Sequence, residues 1–170
     1  VAVAIDDRDA DAHFALGRIL YLKRMHEASL FEFEAAVTVN PSLAHAHLGY
    51  GSALGYSGQW ERAIESLDRA LRLSPHDPVI WVFSTARALW LIGSGRIEDA
   101  AESAAHAARQ PTAEVTAHIV LTAALALLDR EKEGRRAFAD ALGLKPDIDA
   151  AYVAQIFPFE DPANLEFILA

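Results

Sequence analysis

The stretch Trp60–Pro75, WERAIESLDRALRLSP, constrains this chain more than any other. Ala63, Leu67 and Ala70 are spaced four and three apart, so they share one helical face. Small side chains at Ala63 and Ala70 let a second helix approach closely, and Leu67 fills the gap between them. Pro75 ends the helix, because its ring nitrogen cannot donate and the residue before it is pushed out of the α region. Shifted back by 34 residues the pattern recurs: Ala36 for Ala70, Phe33 for Leu67, Pro41 for Pro75, Gly17 for Gly51. That is the period of a helix–turn–helix repeat array.

Composition supports helices and narrows the chemistry. Much of the apolar content of the 170 residues is alanine, which favours helix and close helix packing. β-branched residues are scattered and never alternate over a useful length, so strands are poorly supported. A formal charge of −9 argues against binding the phosphates of DNA or RNA. The absence of cysteine excludes disulfides, thiolate metal sites and cysteine nucleophiles, and points to a reducing, cytoplasmic setting. Gly or charge breaks every apolar run before about 18 residues, so no membrane span is expected. The first residues lack a secretory leader and an initiator Met, and VAVAIDD reads as the tail of a truncated repeat. A fragment of a longer polypeptide is expected.

The chain divides as one repeat domain over 1–170: a truncated tail (1–9), four repeats (10–43, 44–77, 78–114 and 115–147) and a C-terminal cap (148–170). In the first repeat, helix A (10–23) offers Leu16, Gly17 and Leu20. Helix B (26–39) answers with Ser29, Phe33 and Ala36, and Asn40-Pro41 stops it. The second sets Tyr50, Gly51 and Leu54 against Ala63, Leu67 and Ala70 across a Gly58-Gln59-Trp60 turn. The third is longer, so extra residues enter near Pro78–Trp81 or Gly93–Gly95. Its helices span 79–92 and 97–109. The fourth returns to period, with Leu121, Thr122 and Leu125 facing Phe138 and Ala141. Gly134 stands where other repeats have Ala or Ser, costing about 1 kcal/mol unless close packing requires it. Helices over 148–156 and 163–169 would cover the last apolar face.

These residues carry a resemblance to the tetratricopeptide repeat (TPR) family over nearly the whole chain. Its small, aromatic and proline positions read Gly17, Ser29, Phe33, Ala36, Pro41, then Gly51, Ala63, Leu67, Ala70, Pro75. The resemblance implies an all-α solenoid, a right-handed superhelix with a C-terminal capping helix. It also implies a concave groove lined by helix A. Carried over by position, the groove takes Asp11, Phe14, Arg18, Tyr21 and Leu22, then His45, Leu48, Ser52, Gly55 and Tyr56. In the fourth repeat it takes Thr116, Ile119, Ala123, Ala126 and Leu127, and in the third Val82, Ala86, Leu89 and Trp90. The strongest partner-binding candidates are Phe14, Arg18, Tyr21, His45, Leu48, Ser52, Tyr56, Trp90, Ile119 and Ala123. The Lys/Asn carboxylate clamp of chaperone-binding members is absent, since Phe14, Arg18 and Gly49 stand in its place. A weaker resemblance, in LSPHDP, ARQP and PFEDPA, is to the repeat region of bacterial signalling proteins with an adenylyl cyclase-like domain. It implies an effector domain upstream and supplies no catalytic residue here.

Other motifs read as structure. His45 and His47 sit two apart and point to different helix faces, so they cannot chelate one ion. His13, His47 and His118 fall at one repeat position, which indicates packing rather than a metal. Glu61 and Glu65 share a face but lack the pocket a general acid needs. Gly93-Ser94-Gly95 lacks the Lys and strand of a phosphate loop, and there is no nucleophile elbow. The chain therefore reads as a non-enzymatic protein–protein interaction scaffold without cofactor. It binds a partner peptide or helix, or self-associates. The competing reading is a regulatory arm of a larger signalling enzyme.

Overall fold

The computed structural model describes residues 8–157 together with Phe159 and Ile168. Nine helices and no strands lie among these residues. They are α1 (Ala10–Leu22), α2 (His26–Val39), α3 (Ala44–Tyr56), α4 (Trp60–Leu73), α5 (Ile80–Gly93), α6 (Ile97–Ala108), α7 (Val115–Leu127), α8 (Glu131–Leu144) and α9 (Ala150–Ile156). The fold is an all-α helical-repeat solenoid, as expected. The expected tail at 1–7 and the helix over 163–169 fall outside the described residues, apart from Ile168. Helix α9 begins at Ala150, two residues later than expected, where Asp149 caps it by accepting from the Tyr152 amide at 2.7 Å.

The chain forms two compact units, 1–75 and 76–170. In the first, α1 packs on α2 and α3 on α4, with α2 and α1 both against α3. In the second, α5 pairs with α6 and α7 with α8, while α6 and α5 both touch α7. Each pair is closed by a three-residue turn whose middle residue takes a left-handed conformation: Arg24 (φ 58°), Gly58 (80°), Gly95 (78°) and Asp129 (55°). The third turn amides donate back to Leu20, Leu54, Leu91 and Leu125 at 2.9–3.0 Å. One bond pattern thus ends all four first helices and reverses the chain. The turns are equal in length, so the extra residues of the third repeat enter before α5: six residues separate α4 from α5, against four between α2 and α3.

Glycines decide how closely the helices of the first unit approach. Phe33 on α2 is 2% exposed and is clamped between Gly17 on α1 and Gly49 on α3. A Cβ at Gly17 would stand 2.8 Å from the Phe33 ring, and one at Gly49 would also overlap it. At Gly51 a Cβ would lie 2.9 Å from the Ala63 carbonyl oxygen and against Leu67. Full burial of Leu67 stabilises by about 1.5–3 kcal/mol. In the second unit, Trp81, Ala107 and Ala117 form a buried cluster with Val82 and Ala113 packed on it. Close packing does not require Gly134, since a Cβ there would meet Leu125 Cβ at an ordinary 3.7 Å.

Candidate partner-binding groove

In the first unit, α1 and α3 bring most of the expected groove residues together. Phe14, Arg18 and Tyr21 follow one another at helical spacing on α1. The Phe14 ring lies 6.1 Å from Phe33 and 6.4 Å from His45 on α3, and the Arg18 guanidinium carbon sits 5.6 Å from the Phe14 centroid. That distance is within cation–π range. Arg18 is exposed, while Phe14, His45, Leu48 and Ser52 are partly buried. Phe14, His45 and Arg18 together make a partly open face with an aromatic floor and one cation.

Tyr21 and Tyr56 extend this face inward. Their rings are 6.0 Å apart and their hydroxyls share a hydrogen bond. Burial pushes the Tyr21 hydroxyl up to about 12, partly offset by that bond. Tyr56 is 6% exposed, and burial, then the neighbouring Tyr21, raises it well above the ordinary tyrosine value. Tyr21 also meets His26 edge-on at 6.4 Å. His26 opens a second helix, and assigning the groove to first helices alone gave no signal for it.

In the second unit Leu89, Trp90, Ile119 and Ala123 are buried, whereas Ala126 and Leu127 are exposed. Trp90 is 1% exposed, and Phe159 stands against its ring at 5.8 Å in an edge-to-face arrangement. Ile119 and Ala123 are buried and line a cavity of about 400 Å³ with Val153 on α9 and with Ile168. The distance from Trp90 to Phe159 in sequence hides this contact from any repeat pattern.

His13 and His47 have structural partners. His13 Nδ1 lies 2.6 Å from Glu32 Oε2. One repeat later, His47 donates from Nε2 to the Pro41 carbonyl at 3.1 Å, and the Ser66 hydroxyl donates to the His47 carbonyl at 2.9 Å. Burial lowers the His47 pKa, against the Pro41 bond. In the third repeat the same pair of positions is Ser84 and Ser103, whose hydroxyl donates to the Ser84 carbonyl at 3.0 Å. In the fourth it is His118 and Ala137, and the buried His118 Nδ1 has no hydrogen-bond partner among the described residues. The shared position of His13, His47 and His118 is thus a seam between paired helices. Among the described residues no cluster of His, Asp or Glu could hold a metal ion, and no helix is long and apolar enough to cross a membrane.

Residues 10–43 and 44–85 each match a tetratricopeptide repeat family model. Residues 10–85 carry tetratricopeptide repeats. Such repeats are generally non-catalytic scaffolds for protein interactions. No curated protein matches the sequence. The solved structure of MamA from residue 41 to its end, from Desulfovibrio magneticus RS-1, is similar with a TM-score of 0.71 at 18% identity, covering 84% of this chain and 79% of that one. YrrB, described as a TPR protein with an unusual peptide-binding site, matches with a TM-score of 0.69 at 16% identity over 96% of this chain and 87% of its own. Pseudomonas aeruginosa pilF gives 0.73 at 19% identity over 96% and 74%. At such identities the likeness establishes the fold alone.

Proposed function

We propose that this tetratricopeptide-repeat chain is a non-enzymatic scaffold that binds a peptide or helix on the α1–α3 face, in a reducing cytoplasm. The observation that carries the reading is the continuous Phe14–Arg18–His45 surface, with its exposed guanidinium beside a partly buried aromatic floor. Arg and aromatic side chains are the usual anchors of such surfaces. An amphipathic segment would lay apolar side chains on Phe14 and Leu48 and set a carboxylate against Arg18. The similarity to YrrB, a protein described by its peptide-binding site, supports this class of ligand. Tyr21 and Tyr56 act in the same reading as the buried support that holds α1 against α3.

Selection of peptides from a random library on the folded protein tests the proposal. The enriched peptides should pair an apolar residue with an acidic one, and Arg18→Glu should weaken them by about tenfold or more, the loss of a charged anchor. Equal binding to wild type and Arg18→Glu would overturn the assignment of this face.

A further inference from the structure

The two units treat the space between consecutive second helices differently. In the first, the Tyr50 hydroxyl on α3 donates to Glu34 Oε1 on α2 at 2.9 Å and accepts from Arg62 Nη2 on α4 at 2.8 Å. This bridge ties α2 to α4 across α3. Counted along the repeat, the corresponding positions of the second unit are Ala105 on α6, Leu121 on α7 and Glu133 on α8. Ala105 and Leu121 have no polar group for a bridge, and Glu133 turns to its neighbour Arg130 in a two-pronged pair at 2.8 and 2.6 Å. All three positions line an open groove of about 610 Å³ between α6 and α8.

The groove has an apolar floor of Ala105, Leu121, Leu125 and Ala137. Arg109, just past the end of α6, and Arg136 from α8 stand on its walls and form no ion pair among the described residues, although Arg136 also acts at longer range on the Glu133 carboxylate. Glu102 and Asp140 also reach the lining, so a polyanion without an apolar part does not fit. The occupant needs a bulky apolar group flanked by carboxylates. The chain displays such a group on α2. Phe31 is 68% exposed, and Glu27 and Glu34 lie one turn to either side of it on the same helical face. The Tyr50 bond and a 4.0 Å ion pair with Arg62 both fall on Oε1 of Glu34.

We propose that the α6–α8 groove receives α2 of a second copy of this chain, with Phe31 on the apolar floor and Glu27 and Glu34 against Arg109 and Arg136. Knob and socket are different surfaces, so each copy offers both and the contact is heterologous. Association then continues from copy to copy until a ring closes or a chain grows. This surface is separate from the α1–α3 face.

Sedimentation of the whole chain over a concentration series up to about 1 mM, the weak end of the affinity scale, tests this. The wild type should show a mass that rises with concentration and falls with added salt. Phe31→Asp, which spoils the knob, and the double variant Arg109→Glu/Arg136→Glu, which spoils the socket, should each be monomeric with unchanged helical circular dichroism. Mixing the two leaves one good knob and one good socket, so a one-to-one dimer should form and stop there. A wild type that stays monomeric, a Phe31→Asp variant that still associates, or a mixture that stays monomeric would each overturn the proposal.

Discussion

A Cβ at Gly51 would stand 2.9 Å from the Ala63 carbonyl oxygen, a backbone atom that cannot move without shifting α4. Gly51→Ala should therefore cost about 1–3 kcal/mol, outweighing its gain in helix propensity of about 1 kcal/mol. Gly134→Ala should have the opposite sign and stabilise by about 0.5–1 kcal/mol, since its Cβ meets only ordinary contacts. Urea denaturation of the two variants beside the wild type reads both effects. The seam position supplies a second test. Ser66 and Ser103 each donate across their helix pair, whereas Ala137 offers nothing at the level of the unpartnered His118 Nδ1. Ala137→Ser should add about 0.5–1.5 kcal/mol by completing the hydrogen bond, checked by the same denaturation. The spacing of Gly17, Gly51, Ala63 and Ala70 was legible in the sequence. Which glycine is obligatory was not, because that depends on the atom facing it.

At the scale of the helix pair, stability turns on four left-handed residues. Gly58 and Gly95 adopt that conformation at no steric cost, whereas the side chains of Arg24 and Asp129 strain it. Gly95→Ala should destabilise by about 1–2 kcal/mol. Arg24→Gly should raise the midpoint of thermal unfolding, by less than the full steric relief because glycine also loosens the unfolded chain. Calorimetry on both variants checks the pair. The glycine turns announce themselves in sequence. Arg24 carries no such mark, and only the recurrence of the turn at a fixed place in the repeat reveals its backbone. The lengthened third repeat was similarly visible as a number of residues, while its location before α5 needed the structure.

Across the whole molecule, buried tyrosines tie stability to alkaline pH. Unfolded tyrosine ionises near pH 10, while Tyr21 holds its proton to about 12 and Tyr56 is also raised. The folded state therefore binds these protons more tightly. Below the unfolded value both states are protonated and the contribution is fully present. As pH rises from about 10 toward the folded values, stability should fall by about 1.4 kcal/mol per unit for each tyrosine kept neutral. Denaturation at a series of alkaline pH values should show this decline, and Tyr56→Phe should make it shallower. The order and pairing of α1–α8 followed from sequence alone, because helical spacing, small residues at close crossings and proline stops act over a few residues. Which expected groove positions lie open was decided by tertiary structure. Exposure depends on what the rest of the chain lays over a face, as Phe159 covers Trp90, Val153 and Ile168 flank Ile119 and Ala123, and Tyr21 packs on Tyr56, while Arg18 stays in solvent.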